Sequence, residues 1–207
     1  MVIQELKPSA RRQGRWLAVL EDGSILRVGE GEVIDFALCA GKELSPDEAE
    51  ALLAAAKSAE YRAKALDLLS RRPQSRKELT QKLGQWGAED EEAEAICDRM
   101  EQLGYLNDQT YAAQVVRHYA AKGFGEKKLR DELYRRGLPR QLWAEALEQV
   151  GDPAEAIFQF AQKKLGDSQP DRKQLQKVAE ALGRRGYAWA DISDVLRRWE
   201  TGDESYD

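Results

Sequence analysis

His118 is the only histidine in the chain, and it sits in a segment where Tyr111, Val115, Val116 and Tyr119 recur at helical spacing. Nucleophilic catalysis needs a Ser or Cys held within hydrogen-bond reach of such a base. No Ser or Cys here stands in a strand–turn–helix elbow, so His118 reads as a surface or interface side chain. Glu89-Asp90-Glu91-Glu92 offers four carboxylates for a cation. A contiguous acidic run ahead of an apolar-periodic segment is instead what a helix N-terminus favours, because the helix dipole is positive there. The glycines at 29, 31, 41, 84, 87, 123 and 125 form neither a Gly-x4-Gly-Lys-Ser/Thr loop nor a strand-bound Gly-x-Gly-x-x-Gly, so no phosphate cradle is encoded. Cys39 and Cys97 are far apart, with no Cys-x-x-Cys and no ligand-spaced histidine. They are expected to be reduced core or near-core thiols and not zinc ligands. No catalytic residue, metal or cofactor is expected, and the chemistry left to the chain is binding.

The residues suited to binding are cations. A net charge of −5 argues against a surface wholly given to nucleic acid, but the charge is unevenly placed. Segments 76–86, 126–136 and 172–185 carry +2, +2 and +4, whereas 89–101, 139–149 and 189–200 carry −6, −1 and −1. The candidate anion contacts are Arg76, Lys77 and Lys82; Lys127, Lys128, Arg130, Arg135 and Arg136; and Arg172, Lys173, Lys177, Arg184 and Arg185. Alternating charge also solubilises helix faces; its recurrence in three segments is what singles these out. The five tryptophans, Trp86, Trp143, Trp189 and Trp199 among them, read as core or inter-helix filler more than as base-stacking platforms.

The elements that hold these cations follow from a repeat. Gly87, Gly137 and Gly186 recur at spacings of about fifty residues, each preceded at minus eight and minus four by an aliphatic pair: Leu79 and Leu83, Leu129 and Leu133, Val178 and Leu182. Apolar residues follow at plus six, nine, ten and thirteen: Ala93, Ile96, Cys97 and Met100; Trp143, Ala146, Leu147 and Val150; Ile192, Val195, Leu196 and Trp199. Both sets trace one face of a helix, so each glycine marks a turn between two helices. A further helix precedes each pair, over Tyr61 to Arg72, Thr110 to Lys122 and Pro153 to Leu165, with capping signals at Ser75-Arg76-Lys77-Glu78 and Asp152-Pro153.

The fold class is therefore mainly α: three tandem three-helix, helix-turn-helix-like repeats in an elongated curved array. The repeats occupy 61–108, 109–151 and 152–200, followed by a tail at 201–207; the third has a longer, turn-rich joint, Gly166 to Asp171. Ahead of them, 1–60 forms a small β element and a helix. Val2 to Leu6 alternates, Arg15 to Leu20 and Ser24 to Val28 flank Asp22-Gly23, a hairpin dipeptide, and Ser45-Pro46-Asp47-Glu48 starts a helix. No leader or membrane span is evident, and the chain is expected to be cytoplasmic and monomeric.

A resemblance to a known family emerges at Arg71-Arg72-Pro73-Gln74-Ser75-Arg76-Lys77-Glu78-Leu79, at Leu103-Gly104-Tyr105-Leu106-Asn107-Asp108 and at Tyr111-Ala112. These segments resemble the RecX family's "RPRS..EL" and "LGYLDD..YA" patterns. Lys122-Gly123-Phe124-Gly125, Leu129 to Leu133 and Arg136-Gly137-Leu138 extend the match. Asn107 stands where an aspartate is usual, a change a helix cap tolerates. The likeness is strong over 61–150 and looser outside it. It implies tandem three-helix units and a non-enzymatic regulator that binds RecA filaments on single-stranded DNA and modulates strand exchange and ATP hydrolysis. From another class, the helix–glycine–helix pattern also fits a helix-turn-helix transcription regulator, although its second helices are acidic where phosphate would meet them.

Overall fold

A computed structural model describes residues 1–10, 13–166 and 170–201. The expected joint at Asp167-Ser168-Gln169 and the tail at 202–207 lie outside the described residues. Three antiparallel strands, β1 (Ile3–Pro8), β2 (Arg15–Leu20) and β3 (Ile25–Gly29), form a sheet in the order β1-β2-β3. The β2–β3 hairpin turns at Asp22-Gly23, where Gly23 takes φ +80° and the Asp22 carboxylate accepts from Ser24 N at 2.9 Å. Ten helices follow among the described residues: α1 (Glu30–Asp35), α2 (Pro46–Arg71), α3 (Arg76–Gln85), α4 (Asp90–Gln102), α5 (Asp108–Ala120), α6 (Glu126–Arg135), α7 (Trp143–Leu147), α8 (Pro153–Leu165), α9 (Arg172–Arg185) and α10 (Trp189–Thr201).

The residues divide into two compact units. One comprises Met1–Arg72 with Leu79–Tyr105, the other Pro73–Glu78 with Leu106 onward. In the first, Ile3, Ala18, Leu20 and Val28 of the sheet pack with Leu38, Leu44, Leu52 and Ala56. In the second, one core gathers Tyr111, Ala112, Val115, Val116, Leu129, Leu133, Leu138 and Ala146. Another gathers Ile157, Ala161, Leu175, Val178, Leu182, Ile192, Val195 and Leu196. The aliphatic pairs at minus eight and minus four are all buried. Gly87, Gly137 and Gly186 take φ of +95°, +68° and +91°, the left-handed region that a residue with a Cβ rarely adopts.

Four features depart from the sequence expectation. The helix expected from Tyr61 is continuous with the one starting at Pro46, because no Gly or Pro interrupts 47–71; α2 stops at Arg72, which is extended ahead of Pro73. After Gly137 the third helix shrinks to a 3-10 turn, Arg140–Leu142, and the five-residue α7. Cys97 is buried, but Cys39 is exposed in the loop after α1, where no layer covers it. Trp189 is 70% exposed at the first residue of α10, ahead of the turn that faces the core, and so is no filler; Trp199, by contrast, packs at 4.7 Å on Phe158.

Candidate partner-binding surface

The capping chemistry at 75–78 places the first cations. Ser75 Oγ accepts from Glu78 N at 3.0 Å while Ser75 N donates to the Glu78 carboxylate at 3.0 Å. That reciprocal pair fixes the first turn of α3. Ser75 Oγ also donates to the Arg136 carbonyl at 2.5 Å, and the Lys77 stem lies on Gly137, where an added Cβ would come within 2.0 Å of Lys77 Cδ. The Lys77 ammonium is left at the surface with no polar partner among the described residues.

The same joint recurs fifty residues on. Gly125 N donates to the Arg185 carbonyl at 2.9 Å and Lys127 N to the Gly186 carbonyl at 3.1 Å. A Cβ on Gly186 would sit 2.6 Å from Lys128 N, and one on Gly125 2.5 Å from Tyr187 N. The start of one repeat's second helix thus seats on the glycine turn of the next. Lys127, equivalent to Lys77, is exposed beside that joint.

Two of the expected anion contacts are spent holding these joints. The Arg136 guanidinium donates to Tyr111 Oη at 2.5 Å, lies 3.5 Å from Glu78 Oε1 and stands over the Tyr111 ring at 5.6 Å. Burial opposes its charge, but Tyr111, Tyr119 and Glu78 outweigh that, and its pKa lies above the ordinary value. Burial in turn raises the Tyr111 hydroxyl, with Glu78 adding to the effect. Arg185, at the equivalent position before Gly186, donates to the Lys122 and Gly123 carbonyls at 2.9 and 3.0 Å and stacks on Phe160 at 4.8 Å and Phe124 at 5.6 Å. Sequence reasoning assigned both arginines to a partner and missed Glu78, Tyr111 and Phe160. The signal was the Arg-Gly dipeptide shared by 136–137 and 185–186.

The other candidates sort by what their charge meets. The Arg76 backbone N–H, rather than its charge, donates to the Asp108 carboxylate at 2.8 Å. Lys82 donates to Gln85 at 3.0 Å, and Arg130 pairs with Glu126 at 2.6 Å. Lys128, at 3.8 Å, and Arg135 both reach Glu132, whose side chain is only 3% exposed on α6. Arg172, Lys173, Lys177 and Arg184 are exposed, with no partner among the described residues. Lys173, Lys177 and Arg184 fall at helical spacings of four and seven, opposite the buried Leu175, Val178 and Leu182. Of the candidate cations, those with no polar partner among the described residues are therefore Lys77, Lys127 and Arg172, Lys173, Lys177 and Arg184.

The other groups singled out by their spacing lie apart from this set. His118 is exposed and meets Tyr119 edge-on at 5.3 Å. Glu89 is the N-cap of α4 and Asp90, Glu91 and Glu92 fill its first turn. No cluster of three or more metal-ligating side chains occurs among the described residues, and no described helix is long and apolar enough to cross a membrane.

Comparison with known proteins places this geometry. Family models described as the first, second and third three-helix domains of RecX match residues 62–100, 107–147 and 152–196. Two relatives named "Regulatory protein RecX" share the central sequence. One, from Xanthomonas axonopodis pv. citri, is 39% identical over 136 residues, 65% of this chain and 84% of that one. The other, from Pseudomonas fluorescens, is 38% identical over 134 residues, 64% and 86%. A crystal structure of regulatory protein RecX superposes with TM-score 0.74 at 25% identity, over 95% of this chain and 98% of that one. The RecX of Lactobacillus salivarius shares the fold at TM-score 0.64 and 22% identity, over 70% of this chain and 97% of its own. Three consecutive domain matches in the family's own order, on helices whose glycine turns and caps carry the repeat, mean that the chain belongs to the RecX family of regulatory proteins.

Proposed function

We propose that the chain is a cytoplasmic, non-enzymatic regulator that docks as a monomer on the RecA filament assembled on single-stranded DNA and lowers its strand exchange and ATP hydrolysis. Membership of the RecX family supports RecA as the partner. The observation that carries the binding mode is the set of exposed cations Lys77, Lys127, Lys173, Lys177 and Arg184, which have no polar partner among the described residues. Charged groups with no partner in their own fold are available for carboxylate on the filament or phosphate in its DNA. The opposing reading, a helix-turn-helix transcription regulator, would put α4 against phosphate with Asp90, Glu91 and Glu92 in its first turn.

The test is RecA ATPase on single-stranded DNA with and without the purified chain. A dose-dependent fall in turnover supports the reading. Unchanged turnover at saturating concentration, or sequence-specific binding to duplex without RecA, overturns it.

A further inference from the structure

The family models begin at residue 62 and leave the N-terminal sheet unassigned. Leu20 N donates to Ser24 O at 2.9 Å, which makes Leu20–Ser24 a hydrogen-bonded pair of the β2–β3 ladder. Bonded and non-bonded pairs alternate along an antiparallel ladder, so the next bonded pairs are Ala18–Leu26 and Trp16–Val28. The backbone N–H and C=O of Ile25 and Arg27 therefore point away from β2, at the free edge of a sheet in which β3 is the last strand. No backbone or side-chain group bonds them among the described residues.

That edge opens on a cleft of about 650 Å³. Its walls are β3 with Arg15 and Leu17 of β2, the α2 residues Ala56, Ala59, Glu60 and Ala63, and the described ends of the β1–β2 turn, Ala10 and Gln13. α2 runs beside β3, with Ala56, Ala59 and Ala63 as the small side chains it presents to the cleft. Arg15 and Arg27 project from the outer face of the sheet, opposite Trp16, Ala18 and Val28, and their charges reach Glu60 across the cleft without a close ion pair. Glu60 pairs with Lys64 at 2.8 Å. Ile25 stands 55% exposed between these cations and the hairpin. Proteins ordinarily cover, shorten or charge such an edge, because unpaired strand groups are a template for another strand.

We infer that the open edge of β3 is a docking site for an acidic, extended peptide segment of a partner protein, which adds as a fourth strand. The main chain would pair with Ile25 and Arg27, apolar side chains would meet Ile25 and Leu17, and carboxylates would meet Arg15 and Arg27. A second copy of the chain fits less well, since antiparallel β3–β3 pairing about Arg27 opposes two guanidiniums. Single-stranded nucleic acid also fits less well, because the outward residues Leu17, Val19 and Ile25 offer no aromatic face for bases. This site is independent of the α9 cations and of the RecA reading.

The probe is a fluorescein-labelled peptide of alternating valine and glutamate, followed by anisotropy on the full chain. Oligothymidylate and an alternating valine–lysine peptide serve as comparisons. The acidic peptide is expected to bind best and to weaken about tenfold or more in Arg15→Glu and in Arg27→Pro, which removes an outward N–H that an edge strand does not use internally. It should be unaffected by Lys173→Glu/Lys177→Glu. Circular dichroism checks folding, and if Arg27→Pro does not fold, Arg15→Glu and the salt dependence of the parent decide. Equal binding by parent and both variants overturns the proposal. So does oligothymidylate binding lost in Arg15→Glu without peptide binding, or self-association of the parent abolished by Arg27→Pro.

Discussion

Arg136 shows how a cation that looks free in sequence becomes part of the fold. It lies between Glu78 and Tyr111, its side chain 28% exposed, and its Nε is buried without a partner among the described residues. Replacing it by Met strands the Glu78 carboxylate and the Tyr111 hydroxyl in a half-buried place. An expected loss of about 1–3 kcal/mol follows, read by urea denaturation. A glycine comparison tests the joint itself. Gly186→Ala combines a left-handed φ with a Cβ 2.6 Å from Lys128 N, whereas Gly104→Ala, at φ +75°, meets nothing within 4 Å. The first should cost more than the second, by about 1–3 kcal/mol. Titration adds a third check. Burial raises the hydroxyls of Tyr111 and Tyr187 above the usual value of 10.0. A tyrosine held neutral by the fold contributes stability that is complete below pH 10 and lost as pH rises from 10 through the raised values. The urea midpoint should therefore fall across that alkaline window; a midpoint that stays flat there would show that neither hydroxyl is held by the fold.

At the level of elements, the repeat was legible because three signals in the sequence coincide: a glycine recurring about every fifty residues, an aliphatic pair before it, and apolar residues at helical spacing after it. What the spacing could not show was which polar contacts each helix end would make. Glu132 reads as a surface acid between two cations, yet α6 buries it, and Lys128 and Arg135 neutralise it. Lengths were also less legible than existence. The Ala-rich segment 54–56 has no breaker, so α2 runs on through the expected boundary at Tyr61, and the short α1 after Gly29 has no apolar period to announce it. These contacts sharpen the test of the filament surface. Reversing Lys127, Lys128 and Arg130 to Glu also breaks ties to Glu132 and Glu126, so weaker binding by that variant mixes two causes. Reversing Lys127, Lys173 and Lys177 touches no described ion pair. It should leave the melting temperature unchanged, since exposed helix charges contribute only tenths of a kcal/mol. Affinity for RecA filaments should nevertheless fall about tenfold or more. Reversal of Glu89, Asp90 and Glu91 to Lys should have little effect on that affinity.

Across the whole molecule, charge is sorted by element and not balanced locally: α9 is cationic outward, while α4 opens with Asp90, Glu91 and Glu92. If docking uses the cations, affinity for RecA filaments on single-stranded DNA must fall as ionic strength rises, and the triple reversal must flatten that slope. A parent whose binding ignores salt would place the contact on an apolar surface. The joint described above also has a direction, since a helix start always seats on a glycine turn that follows it in sequence. Such head-to-tail contacts do not close on themselves and would, between molecules, run on into filaments. Both ends are blocked here. Gly87 has the Tyr61 hydroxyl 3.3 Å from where its Cβ would stand. At the start of α9, the donor that Gly125 gives to the next turn is used internally: Asp171 N donates to the Gln174 side chain at 2.8 Å, and the Asp171 carboxylate, unlike the Ser75 hydroxyl, has no proton to give a carbonyl. Each end thus carries a feature that the seated joints lack, and Asp171→Ser, which restores the hydroxyl, is the change expected to offer a link to a neighbouring molecule, read as a rise in mass by light scattering.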